Sequence, residues 1–511
     1  MDSLNQIAPR RRVLRAAGFV VGLLCLTSSA FAQAKDTDVI TSTRSSAGSC
    51  GGSRCFYVAV CMNNGNGASL SCAASPGGVG AFNTVQAGLN AATIAGDWVL
   101  IGDGTYDCTS DGSGDADVDG GCTVQGSGTS GSAIVITYAT TARGPVIRNA
   151  NTAAPTAYSQ ANNPALNVTG HDYITIRGLT IQGSIRAFNE RPTSLAALRV
   201  GLLIEGNEIT RGWADPDDGN WSGIWLEGCR FSSVRGNYIH DITNKLTGAG
   251  SQSSLSAIKL YSCIDSTYEY NTVVNAIEVS GGSRAGGIDD KQDSIRNVHR
   301  YNDFKGVQNC LRFQNQQLLG AATGTQAYGN LCRLGSASGI RYAVEFEDGG
   351  FTDLTIYNNT FAGGWNWGMH FTTEGNPVRG LTVYNNAFRG MTGLNIDTEG
   401  GSNGSTNAWT LLDYNFYGKR DYRLRSSTHG SRSAMSRAEG VERNGCEVAR
   451  DAACKKSWGF TNEAGDNYTL LASSPLKNAG RTRGTSDGMP VDIGAFGVTS
   501  CVGHLCAGSG W

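Results

Sequence analysis

Charge, histidine and methionine are all scarce in this chain. Asp, Glu, Lys and Arg make up 16% of the 511 residues, with 6 His and 6 Met. The formal net charge is -2. There is no cationic surplus to draw nucleic acid, and no nucleic-acid partner is expected. No helix-length apolar stripe runs through the middle of the chain, which argues against a helical bundle. Beyond residue 34 no run is apolar enough for a membrane span of ~20 residues. The cysteines lack the spacing of a zinc site with matching histidines. Glycine is what the chain has in plenty, 70 residues. Many glycines with few charges suit short strands joined by tight turns.

Residues 1–34 read as an export signal. Arg10, Arg11 and Arg12 precede an apolar run from Val13 to Ala32, and Ala30-Phe31-Ala32 is a small-x-small cleavage site. Arg10-Arg11-Arg12-Val13-Leu14-Arg15 also reads as a twin-arginine signal. A secreted or periplasmic protein is expected. Of 15 Cys, Cys25 leaves with the signal, and the remaining even number contains close pairs. These are Cys50/Cys55, Cys61/Cys72, Cys108/Cys122, Cys446/Cys454 and Cys501/Cys506, as disulfides in an oxidising compartment would give. Residues 35–81 form a disulfide-rich N-terminal segment.

A chain of this length is ordinarily divided into domains, but a solenoid grows in one dimension. A short phrase recurs: an alternating strand, then Gly, Tyr or Asn, then Asn, then a residue before an apolar one. It places Asn at 207, 237, 271, 302, 330, 359, 386 and 415, in steps of 27 to 34 residues. A fixed period in this range means a repeat architecture. Ile174, Ile176 and Leu179, Ile181 alternate with the two-residue period of strands. The expected fold is all-β: a right-handed, single-stranded parallel β-helix, its Asn side chains stacked as a structural ladder. Cys229 and Cys263 each lie eight residues before a ladder Asn. They are expected to stack on adjacent coils, as a disulfide or as an apolar ladder.

Solenoid ends need covers. Residues 82–95, with Phe82, Val85, Leu89, Ala92 and Ile94 on one face, are expected to form an N-terminal capping helix over a β-helix at 82–425. Asp111, Asp115, Asp117 and Asp119 lie in a Gly-rich segment read as a solvated loop or a calcium loop. Residues 426–511 read as an irregular C-terminal segment packing back on the stack. Phe56-Tyr57-Val58, Gly96-Asp97, Gly102-Asp103-Gly104-Thr105-Tyr106, Ala133 to Tyr138 and Gly144-Pro145-Val146-Ile147 resemble the opening of secreted pectin-lyase-like β-helix proteins. Ser474-Pro475 through Asp492-Ile493-Gly494-Ala495-Phe496 resembles their tail. That group includes polyuronate lyases, glycoside hydrolases, epimerases and proteins with no known reaction.

The strand preceding each ladder Asn has a readable outward face. Trp225 and Glu227, Lys259 and Tyr261, Asp289 and Lys291, Arg312 and Gln314, Glu345 and Glu347, and His370 alternate with apolar inward residues. Asp290 has no face of its own unless the strand bends there. Stacked coils make these residues one stripe, with rungs ~4.8 Å apart. The plain alternative is a solvated face with cross-rung ion pairs.

The chemistry that suits the stripe is β-elimination on an acidic polysaccharide. A base removes the proton beside a uronate carboxylate while positive charge neutralises that carboxylate. Lys serves as base when cations lower its pKa. Lys291, Lys259 and Arg312 are the catalytic candidates. Trp225, Tyr261, Gln314 and His370 are substrate-binding candidates, and Asp289, Asp290, Glu345 and Glu347 can offer oxygen ligands to Ca²⁺. The layout is similar to the alginate lyase and chondroitin B lyase family. The resemblance implies a Lys base, an Arg on the neighbouring coil, and calcium near the substrate carboxylate. Lys291 and Arg312 match, followed by Gln292 and Phe313 where that family typically has Ser and His. Lys259 competes as base. The same carboxylates would serve a glycoside hydrolase, and a non-catalytic surface or adhesin protein is the third reading. The chain is expected to act as a monomer.

Overall fold

The computed structural model describes residues 50, 54–108, 121–140, 144–149, 164–187, 194–210, 220–244, 254–278, 286–293, 295–314, 322–334, 341–347, 351–372, 379–398, 408–418, 421–424, 427–447, 458, 460–462, 467–476 and 494. The export segment, the acidic stretch from Asp111 to Asp119, Cys454, Cys501, Cys506 and most of the tail motif lie outside the described residues.

The chain winds as a right-handed parallel β-solenoid. Strands from successive coils pair in parallel into one 14-stranded and two 12-stranded sheets. The first strand, Cys55–Val58, precedes the expected helix and pairs with Trp98–Ile101. Short alternating segments suffice because each strand pairs with the coil before and the coil after. One 12-stranded sheet matters most below. Nine of its consecutive strands are β1 (Ile185–Ala187), β2 (Asn220–Glu227), β3 (Ser254–Tyr261), β4 (Gly286–Lys291), β5 (Asn309–Gln314), β6 (Tyr342–Glu347), β7 (Trp367–Thr372), β8 (Leu394–Thr398) and β9 (Asp421–Leu424). Their inward residues stack in register: Ile185, Ile224, Ile258, Ile288, Leu311, Val344, Met369 and Ile396. A second inward column stacks the rings of Phe313, Phe346 and Phe371 at 5.9 and 4.3 Å.

The asparagines form the expected ladder. Each Nδ2 donates to the next Oδ1, at 3.0 Å from Asn207 to Asn237 and 2.9 Å from Asn386 to Asn415. Each Oδ1 also accepts a backbone N–H, as Asn302 does from Asn271 at 3.0 Å. The residue before each Asn sits in the left-handed region, at φ 61° for Gly206, 56° for Tyr270 and 53° for Asn358. Gly and Asn enter this region most easily. The tyrosines there are held by stacking instead, Tyr270 on Tyr301 at 5.2 Å.

Disulfides join Cys50–Cys55, Cys61–Cys72, Cys108–Cys122, Cys229–Cys263 and Cys310–Cys332. The last pair was not anticipated. Cys446 is disulfide-bonded as well. Helix α1 is shorter than expected, Val85–Ala91, with the Thr84 hydroxyl accepting from Ala87 N–H. It buries Val85 and Leu89, whereas Ile94 lies beyond its end and is 57% exposed. A second helix, α2 (Arg432–Glu439), occupies a stretch read as irregular. Ser431 caps its start, and Gly440 at φ 72° ends it. Gly494, from the tail motif, donates its N–H to Asn385 O on the stack.

Candidate active site

The outward residues of β1–β9 fall into two columns. The first runs Arg186, Trp225, Lys259, Asp289, Arg312, Glu345, His370, Asp397, Arg423, in direct register. The second runs Glu227, Tyr261, Lys291, Gln314, Glu347. The stripe read from alternation is therefore continuous, and it extends one rung before Trp225 and two beyond His370. Its central charges are buried among one another, with Lys259 at 0% and Arg312 at 2% exposure.

Arg312 is the hub. Its Nη1 lies 3.4 Å from Asp289 Oδ2, its Nε 3.5 Å from Glu345 Oε2, and its Nη2 donates to Glu347 Oε2. Burial opposes the charge on Arg312, but the three carboxylates outweigh it and push its pKa up. Lys291 Nζ lies 3.6 Å from Asp289 Oδ2 and 5.5 Å from the Tyr261 ring centre. Asn309 Nδ2 donates to Glu345 Oε2 at 2.9 Å. Three cations, Lys259, Lys291 and Arg312, thus share the centre with three carboxylates, Asp289, Glu345 and Glu347.

Asp290 requires a correction. Strand β4 has no bend, so Asp290 takes the inward position between Leu260 and Phe313. It is 0% exposed. His299 Nε2 lies 2.7 Å from its Oδ2, and Asn297 Nδ2 donates to it at 3.1 Å. Tyr268 stacks on the His299 ring at 5.1 Å. Asp290 belongs to this interior cluster and stands on the opposite face from the stripe.

With Asp290 inside, the other three carboxylates converge on the Arg312 guanidinium. Among the described residues no group of three or more His, Cys, Asp or Glu is placed to share a metal ion. The carboxylates therefore fit a salt-bridge hub better than a cage of oxygen ligands.

The aromatic candidates divide. Trp365 is fully buried, with Nε1 donating to Ala362 O at 3.2 Å. Trp367 is half-buried on the outer face, its ring centre 5.2 Å from both Tyr342 and His370. His240 lies on the strand Tyr238–Asn244, between Asp241 and Glu208 at 2.9 and 3.2 Å. Arg186, Tyr342, Asp397 and Arg423 are stripe residues that the sequence reading missed. Register with Trp225 places Arg186, register with Asn309 places Tyr342, and register with His370 places Asp397 and then Arg423.

The fold, three parallel sheets wound as a solenoid, is similar to solved structures. A pectate lyase crystal structure aligns at 15% identity over 87% of this chain and 96% of its own, with a TM-score of 0.53. The chain has a parallel β-helix fold like that of the pectate lyase. Two further lyase structures align more loosely. A rhamnogalacturonan lyase matches at 12% identity over 86% and 95% of the two chains, TM-score 0.41, and an alginate lyase from Paenibacillus sp. at 15% over 64% and 95%, TM-score 0.30. At 15% identity the pectate lyase likeness establishes the fold alone. No family model and no curated protein matches the sequence. No described helix is long and apolar enough to cross a membrane.

Proposed function

We propose that this β-helix is an exported polysaccharide lyase that cleaves a uronic-acid polymer by β-elimination along the outer face of β1–β9. The observation that carries the reading is the unbroken column of cations, carboxylates and aromatics on one face, in a chain with only 16% charged residues. Lys291 takes the proton beside the substrate carboxylate. The bond to the leaving oxygen breaks, a carbon–carbon double bond forms, and the leaving oxygen is protonated. Lys259, one rung from Asp289, supplies positive charge that favours the intermediate. Lys259 is the alternative base. Arg312, held by three carboxylates, acts through the field and the position it gives Asp289 and Glu347, because a substrate carboxylate would have to displace one of them. The disulfides among the described residues support an oxidising compartment, in keeping with the expected export signal.

A glycoside hydrolase is the second reading. It is favoured by Glu345 and Glu347, which stand on the same face of β6, both against Arg312. One experiment separates the two. Ultraviolet absorbance is followed with alginate, pectate, chondroitin, dermatan sulfate and glucuronan, with calcium and with chelator. Rising absorbance is expected from an unsaturated product. New reducing ends without absorbance would replace the lyase by the hydrolase, and neither signal would leave a binding role. Loss of activity in chelator would return Asp289, Glu345 and Glu347 to consideration as calcium ligands.

A further inference from the structure

The stripe changes character along its length. At one end, cations flank a single indole. Arg186 Cζ lies 4.7 Å and Lys259 Nζ 5.9 Å from the Trp225 ring centre. Trp225 is half-buried, and the Tyr261 ring 5.8 Å away extends its surface. At the other end the lining is aromatic. Tyr342 lies 4.4 Å from His370 and 5.2 Å from Trp367. Burial pushes His370 down to about 4, against Asp397 and with Arg423, so its ring is neutral through the ordinary range. On the next two rungs Arg423 binds Asp397 through both nitrogens, at 2.5 and 2.6 Å, and the two charges cancel.

The two ends suit different sugars. A uronate can lay its C–H face on the indole while its carboxylate meets a guanidinium or ammonium group. At the neutral aromatic end the same carboxylate would lose water and gain no cation, which is costly. An uncharged sugar stacks there without that cost. Trp225 and His370 are five rung steps apart, about 24 Å at the usual strand spacing, so one polymer chain can occupy both ends.

We propose that the groove selects a mixed polymer, with an acidic sugar set against the exposed edge of Trp225 in the field of Arg186 and Lys259, and an uncharged sugar set against Trp367, backed by the buried Tyr342 and His370, further along the same chain. This rests on the outer face of β1–β9 being the carbohydrate groove, and it names the substrate class that groove takes.

The test is binding by the full chain, measured by affinity electrophoresis at two salt concentrations. The probes are polygalacturonate, the alternating polymers rhamnogalacturonan and unsulfated chondroitin, and neutral xylan. The wild type is expected to bind an alternating polymer at least tenfold more tightly than polygalacturonate. Trp367→Ala is expected to reduce that preference below threefold. Arg186→Gln is expected to weaken both acidic classes at least tenfold, flatten their salt dependence and keep the ratio. Equal affinity for alternating and homopolymeric uronates overturns the proposal, as does a Trp367→Ala variant that weakens every polymer by one factor. Trp367→Gln replaces Trp367→Ala if the latter melts below the wild type. Selective binding without unsaturated product would retire the lyase reading and keep the two subsites. Unsaturated product with no preference would do the reverse.

Discussion

The Asn corner and the outer stripe are built on the same coils with the same spacing, yet they follow opposite rules. At the corner every rung from Asn207 to Asn415 carries the same side chain, and each amide repeats its neighbour's hydrogen bonds. On the stripe no two successive rungs carry the same residue. Identity at successive rungs is what stacking rewards, since one geometry satisfies every copy. Stacking gains nothing from Trp, Lys, Asp, Arg, Glu and His in turn, and burying such a series costs desolvation unless the charges are matched. Variation there needs another cause, and a bound polymer supplies one.

If the stripe is the reaction groove, its largest response is in turnover. Lys291→Ala is expected to lower the rate of unsaturated product formation by about 10²–10⁴-fold, the usual worth of a general base. Melting should shift little, because Asp289 keeps Arg312. If Lys259→Ala shows the large loss and Lys291→Ala does not, the base moves one rung. Arg312→Leu tests the hub. It leaves Asp289, Glu345 and Glu347 converging with no guanidinium, and denaturant unfolding should report a loss of about 3–5 kcal/mol. A loss under 1 kcal/mol would mean that the hub is solvated and its buried geometry wrong. Asn302→Ala tests the other side of the comparison. It removes the acceptor of Asn271 N–H and Nδ2, so two buried donors go unsatisfied at ~1–3 kcal/mol each. Stability should fall by roughly 2–6 kcal/mol. The rate per folded molecule should hold, which would separate scaffold from groove.

The same contrast explains what could be read from the sequence. The ladder was legible because repetition at a fixed period is visible in one chain. The in/out alternation of β2–β7 was legible because apolar inward residues mark the pleat. Arg186 was missed because its coil precedes Asn207 and its strand is three residues long. The interior position of Asp290 was missed because its partner, His299, comes nine residues later on another sheet. No periodic signal announces a charge placed inside. Cys310–Cys332 joins two strands of one coil, so its 22-residue separation matches no repeat step. Helix α2 buries only Met435, too little to make an apolar stripe, although Ser431 and Gly440 were both present as end signals.

The smallest expected effect lies where the ladder stops. Beyond Asn415 the next ladder place is taken by Glu442, fully buried. Asn415 Nδ2 donates to its Oε1 at 2.6 Å, Asn415 N–H to its Oε2 at 3.3 Å, and the Tyr417 hydroxyl to Oε1 at 2.5 Å. Burial raises the Glu442 carboxyl to about 8, against the donors Tyr417 and Asn415 and with Asp413. The ordinary value is 4.5. A folded-state pKa above the unfolded one means that folding favours the proton. The associated stability is complete below pH 4.5, declines as pH rises, and is gone above pH 8. Across the single unit from pH 7 to 8 the loss is about 1 kcal/mol. In a solenoid that loss should appear locally, because each coil contacts only its neighbours. Hydrogen exchange at Leu412 to Tyr417 should therefore quicken with pH beyond its intrinsic rate. Glu442→Gln keeps an amide at the ladder end and should remove that excess. An unchanged excess in the Gln variant would assign the pH dependence to another group, and the ladder would end in a carboxylate that does not govern its stability.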